Sequence, residues 1–234
     1  MPRTCGAPTQ SSRGSPLAEL DSVNMSETTG SPRKINSFDL ANIAVFAALT
    51  SVLALAPAIP VGVLGVPITL QTLAVFLTGM ILGGWRAFLA IALYVVVGLL
   101  GVPIFAGFVG GPGVLAGPSV GYLLSFPLAA ALVGFLAHRS VREERVRRRS
   151  GSTSATPDKR RGLGIKLFLA GVAGLILSHV LGVIGMMLVG GLSLNAAVIA
   201  DLAFIPGDLI KAAAAALIAV AVHRAFPRMA GAVL

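Results

Sequence analysis

A single cysteine, Cys5, stands in 234 residues, so neither a disulfide framework nor a thiolate metal cluster can be assembled within one chain. Charge is equally scarce, at 12% of residues, and there are only three histidines. Aromatics make up 6%, with one tryptophan, which leaves few platforms on which a flat or cationic ligand could stack. HExxH, CxxC and the phosphate-cradling GxxxxGK[ST] do not occur, so the sequence carries neither a zinc-protease helix nor a nucleotide-hydrolysing loop. Redox chemistry, metal chemistry and ATP hydrolysis all lose their usual residues, and no cofactor is expected.

Hydrocarbon takes their place. Hydrophobic residues form 56% of the chain and mean hydropathy is +0.89, well above an average soluble domain, which indicates an integral membrane protein. The formal net charge of +9 raises nucleic acid as a partner. The basic residues, however, lie in short stretches flanking apolar runs, a distribution that belongs to membrane topology rather than to nucleic-acid binding. Residues 1–36, rich in Ser, Pro, Thr and Gly, read as a disordered cytoplasmic extension, in which Met25 stands as an alternative start. Residues 139–163, "RSVREERVRRRSGSTSATPDKRRGL", read as a solvated basic loop, and 227–234 as a cytoplasmic tail.

Apolar runs at 38–59, 67–84, 86–101, 119–138, 164–190 and 199–223 predict six spanning helices within 37–226. The second and third are separated only by "GGWRA" (83–87). Fused, they would form a helix of roughly 50 Å, too long for a hydrocarbon core of about 30 Å, so a tight interfacial turn is expected there. With both termini inside, the cytoplasmic side holds 17 of the 18 Lys and Arg residues when Lys166 is counted with the loop before it and Arg224 with the tail, and the outward connections 60–66, 102–118 and 191–198 hold none. The exception is Lys211.

Lys211 and Asp208 sit three positions apart in "FIPGDLIKAAAAALIAV" (204–220), at the outer mouth of the sixth run. At that spacing they share a helix face, and "PGD" is a natural helix start where Asp could serve as a cap. Ionisable groups inside a membrane segment cost a few kcal/mol, which makes the pair a functional candidate. Asp201 reads as the end of an exposed loop. Gln71, one turn into the second run, is either an interhelical hydrogen bond or a ligand contact. His179, within the glycine-rich "GVAGLILSHVLGVIG" of the fifth run, is expected to satisfy a local partner rather than a metal, and its glycines to serve close helix packing. The connection 101–121 contains seven glycines and three prolines yet keeps Ile104, Phe105 and Phe108, so it suits a re-entrant lid over a cavity. In the first run, Ala44 and Ala48 present a small-xxx-small face. Together these features predict an all-α membrane protein, a six-helix bundle with an outer lid between helices 3 and 4.

Four segments resemble the BioY family of biotin-specific substrate-capture subunits of energy-coupling-factor (ECF) vitamin transporters. They are "VPITLQTLAVFLTGMILGGWRAFLAIALYVVVGLLGVPIFAG" (66–107), "GGPGVLAGPSVGYLLSF" (110–126), the helix 164–190 and "FIPGDLIKAAAAAL" (204–217). The resemblance implies biotin binding from outside a bacterial plasma membrane, and delivery through a transmembrane coupling protein driven by two ATPases. It makes Asp208 and Lys211 readers of the ureido group or carboxylate, brings Tyr122 and Phe105–Gly107 to the ligand, and makes Ala44 and Ala48 the docking face for the coupling protein. The chain departs from the family pattern at Gly107, where some relatives carry asparagine, and in "GPSVGY" where some carry "GPTGGY". Alternatives on the residues alone are capture of thiamine, riboflavin or folate, a small membrane enzyme, or a structural membrane subunit; the first three vitamins would call for more outer-half aromatics than Phe105, Phe108, Tyr122 and Phe204.

Overall fold

The computed structural model describes residues 36–61, 65–149 and 157–226. The expected N-terminal extension, except Asn36, the tail 227–234 and the middle of the basic loop lie outside the described residues. Among the described residues, seven α-helices follow in order: α1 Ser37–Ala54, α2 Gln71–Leu82, α3 Gly84–Leu99, α4 Val120–Arg149, α5 Pro157–Leu188, α6 Leu194–Leu202 and α7 Ile205–Ala225. A two-stranded antiparallel hairpin, β1 Ile59–Val61 and β2 Val66–Ile68, joins α1 to α2, with Ile59 opposite Ile68. A 3₁₀ turn, Pro112–Ala116, lies in the connection between α3 and α4.

Within α1, α4, α5 and α7 are four segments long and apolar enough to cross a membrane: Ser37–Ala54, Val120–Val146, Gly162–Leu188 and Ile205–Ala225. The other two expected spans are shorter. With 12 and 16 residues, α2 and α3 reach only about 18 and 24 Å at 1.5 Å per residue. The second run is curtailed because Val66–Ile68 enters the hairpin instead of the helix, which starts only at Gln71. Every residue of α2 except Leu73 is buried, so it forms the axis of the bundle.

Between α2 and α3 a single residue makes the turn. Gly83 adopts φ +83°, a left-handed conformation open to glycine, and a Cβ there would also strike the His138 ring. Trp85 is exposed and stacks on Phe88, with centroids 5.6 Å apart, while Arg86 pairs with Asp39 of α1 at 2.9 Å. At the same end, His223 of α7 contacts the Met80 carbonyl at 2.9 Å and Lys166 of α5 reaches Glu143 of α4 at 2.6 Å. The hairpin, the 100–119 connection and the start of α7 form the opposite end.

Further boundaries differ from the sequence reading. The stretch 139–149, expected as loop, continues α4, and α5 already begins at Pro157, because Glu, Lys and Arg sustain a helix beyond its apolar part. The sixth run is not one helix: 199–202 belongs to α6, and α7 restarts at Ile205 with Pro206 in its first turn, a position where proline's missing N–H costs nothing.

Close packing follows the glycines of α5 as their spacing predicts. A Cβ on Gly185 would stand 2.6 Å from the Gly121 nitrogen, one on Gly182 would enter the Tyr122 ring, and one on Gly171 would come within 3.2 Å of the Ala212 Cβ. Helices α4 and α5 therefore cross backbone to backbone, and that contact fixes Tyr122.

Candidate functional site

Asp208 occupies the first turn of α7 and is buried, but it is not a cap: Phe204 holds the N-cap position without a side-chain bond. Its carboxylate turns toward the bundle. Oδ1 accepts from the Thr72 hydroxyl at 2.8 Å and from Lys211 Nζ at 2.6 Å, and Oδ2 faces His179 Nε2 at 3.2 Å. The i,i+3 pairing read from the sequence is thus present, inside a larger network. Three of about four lone-pair positions on Asp208 are occupied, leaving one at Oδ2 for an incoming donor. Lys211 uses one of its three N–H groups on Asp208.

Asp201 is not the end of an exposed loop. It is buried on α6, accepts a hydrogen bond from the Tyr122 hydroxyl and meets His179 Nδ1 at 2.6 Å. The break at 203–204 rotates α6 so that Asp201 points inward, which a single continuous helix would not have revealed. His179, itself buried, does satisfy side-chain partners, one on each ring nitrogen. The two carboxylates bind opposite edges of the ring, and among the described residues no group of three His, Cys, Asp or Glu side chains is arranged to hold a metal ion.

Beside this network lies a cavity of about 270 Å³, near the lower end of the roughly 300–1,000 Å³ typical of small-molecule pockets. Its polar wall includes Gln71, Thr72, Asp208 and Lys211; Phe105, Leu123, Phe126 and Phe204 supply apolar surface. Gln71 makes the interhelical hydrogen bond, donating to the Tyr94 hydroxyl across α2 and α3 at 2.6 Å, and it also lines the cavity. Tyr94 was missed, as one hydroxyl in the apolar run "IALYVVVGLL". Phe105 is buried edge-on against Tyr94, at 5.4 Å, over Gly98, where a Cβ would collide with the ring. Tyr122 lines the cavity between His179 and Phe204, at 6.0 and 5.9 Å. Gly107 stands apart: it is exposed, at φ +76°, and does not line the cavity. Its role is to turn the chain, so that Phe105 and Val109 pair across the loop and both face the cavity.

"GPSVG" (117–121) has the G-x-S-x-G spacing of a hydrolase nucleophile, but the surroundings of Ser119 do not complete it. A 3₁₀ turn precedes it where a strand is required, and both nitrogens of His179 already face carboxylates.

The fold and the cavity define a class: a helical bundle with four segments long and apolar enough to cross a membrane and a cavity at one end. Residues 25–228 match the model of the BioY family, and the chain belongs to it. It is 37% identical over 186 residues to the biotin transporter BioY of Rhodobacter capsulatus, covering 76% of this chain and 88% of that one. To the biotin transporter BioY of Rhizobium etli it is 33% identical, covering 81% and 95%. To a probable biotin transporter BioY of Bacillus subtilis it is 35% identical, covering 80% and 91%. Among solved structures it resembles the S-component for biotin from an ECF-type ABC transporter, with a TM-score of 0.65, 27% identity and coverage of 80% and 91%.

Proposed function

We propose that this chain binds biotin and serves as the substrate-capture subunit of an ECF-type vitamin transporter in a bacterial plasma membrane. The observation that carries the reading is the ion pair of buried Asp208 and half-buried Lys211 on the wall of a largely apolar cavity. Biotin has a ureido group with two N–H donors and one carbonyl acceptor, an apolar bicycle and a chain ending in a carboxylate. The open position on Asp208 accepts a ureido N–H, Lys211 donates to the ureido carbonyl or pairs with a carboxylate, and the apolar walls take the rings. The empty pair neutralises itself, which holds a charged site open in a low-dielectric surrounding.

On this reading α2 and α3 act as a short hairpin through the bilayer, giving six crossings with both termini cytoplasmic. The basic end, with Arg86 and 139–149, faces the cytoplasm, and the cavity opens outward. The connection 100–119 is the lid: Phe105, Val109 and Val114 already line the cavity. No nucleotide loop is present in the sequence, so transport energy comes from two ATPases through a coupling protein, which docks on the α1 face carrying Ala44 and Ala48, both exposed. The protein is a binding subunit and not an enzyme, and it needs no cofactor.

Calorimetry of the purified full chain tests the assignment. Biotin is expected to bind saturably at one site, and thiamine, riboflavin and folate not to bind. Absence of biotin binding by folded protein, or preference for another of these vitamins, overturns it.

A further inference from the structure

The ring of His179 lies between two carboxylates, with Nδ1 2.6 Å from Asp201 and Nε2 3.2 Å from Asp208. Carboxylates offer only acceptors, and a neutral imidazole has only one N–H. A neutral ring would therefore press a lone pair against one of the two oxygens, whereas an imidazolium donates to both. Charge counting agrees. Asp201, Asp208 and Lys211 sum to one negative charge, which a protonated His179 cancels in a bundle interior that penalises any unpaired charge.

The groups facing His179 can be named element by element. They are Tyr122 from α4, bonded to Asp201; Asp201 itself from α6; and Asp208 from α7, with Lys211 on its far oxygen. From α2, Thr72 carries no charge and reaches Asp208. Through this chain, His179 clamps both the carboxylate that faces the cavity and, by way of Asp201, the Tyr122 ring that lines it.

We propose that His179 is a positioning residue of the ligand site, which, as the imidazolium bridging Asp201 and Asp208, orients Asp208 and Tyr122 for the ligand and makes ligand affinity depend on its proton. This rests on the biotin reading above. Affinity is then highest while the ring keeps both protons and falls as pH rises through its loss of one. The sign follows from the geometry: deprotonation withdraws one donor from the Asp201–Asp208 bridge and leaves the cluster with net negative charge.

Biotin calorimetry on the full-length wild type and on His179→Gln, across and above the imidazole range, provides the test. Wild-type affinity is expected to fall with rising pH. His179→Gln should bind at least tenfold more weakly at the acidic end, about 1.4 kcal/mol, with a flat profile. Asp201→Asn should weaken binding and alter the pH profile, since it removes one of the two carboxylates that the ring bridges. An independent readout is the nitrogen spectrum of protein labelled in histidine, in which the signal lost in His179→Gln should show both ring nitrogens protonated at neutral pH. If His179→Gln does not fold, the same signal is identified as the one kept in His138→Asn and His223→Gln. Wild-type affinity that does not change with pH, a His179→Gln protein that keeps the wild-type affinity or its pH profile, or a neutral ring in the spectrum overturns the inference while leaving biotin capture intact. A folded wild type that binds no biotin at any pH overturns both.

Discussion

Thr72 and Asp208, 136 positions apart in sequence, meet through a hydroxyl-to-carboxylate hydrogen bond of 2.8 Å that ties α2 to α7 at the cavity wall. A valine in place of Thr72 keeps the shape and deletes the donor. Hydrogen bonds to charged groups contribute about 1.5–3 kcal/mol, part of which Lys211 and His179 retain by holding the same carboxylate. Thr72→Val is expected to lower biotin affinity roughly three- to tenfold, about 0.6–1.4 kcal/mol and so below that range. Calorimetry checks it, and unchanged affinity would show that Asp208 needs only its charged partners.

Replacing Asp208 by Asn preserves size but converts one acceptor into a donor and removes the charge that holds Lys211 and faces His179. Biotin binding is expected to fall at least tenfold, about 1.4 kcal/mol or more. A folded Asp208→Asn protein with wild-type affinity would remove Asp208 from the recognition set.

The basic end of the bundle and the cavity end are predicted to face opposite sides of the membrane. In a Cys5→Ser background, a cysteine at exposed Leu115 should react with an impermeant thiol reagent in intact cells, and one at exposed Val146 only after lysis. The reverse pattern would invert the topology.

How far the sequence carried the site depends on how each residue contrasts with its surroundings. Asp208 and Lys211 were legible because two charges at helical spacing stand out in an alanine-rich run. Asp201 was not, since its inward aim comes from a break at 203–204 that apolar composition conceals: "ADLAFIPGD" reads as well as one helix end as two. For His179 a signal was available, an ionisable group deep in an apolar run, and the rule that singled out Lys211 applies to it equally. The hairpin escaped because strands of three residues are too short to show an alternating pattern. The helical continuation 139–149 escaped because loss of hydropathy marks the end of an apolar segment, not the end of a helix.

Glycines on α5 offer a paired test of packing. Gly182 lies against the Tyr122 ring, and its replacement by alanine must displace that ring, at about 1–3 kcal/mol for overpacking. Gly164, on the same helix, has open space where a Cβ would stand, so alanine there should stabilise by roughly 0.5–1 kcal/mol through helix propensity. Thermal unfolding should move in opposite directions for the two variants. Gly182→Ala should also weaken biotin binding, because Tyr122 is moved from the cavity wall. A Gly182→Ala protein as stable as wild type would mean that the ring yields without cost.

Ala44 and Ala48 separate binding from transport. Both are exposed on α1, one turn apart, beside the exposed Val45 and Val52, whereas Ile43, Ala47 and Thr50 face the bundle. A face of small side chains lets a partner helix approach closely enough for dispersion contacts to accumulate, and tryptophan would hold that partner several ångströms away. The cavity takes no wall from α1, so its geometry should survive the change. Ala44→Trp and Ala48→Trp are therefore expected to bind biotin with wild-type affinity, to lose copurification with a coupling protein and its ATPases, and to stop vitamin accumulation by cells. Variants that bind biotin and still copurify place the docking face elsewhere. Variants that lose biotin binding show that these alanines support the bundle itself, despite their exposure.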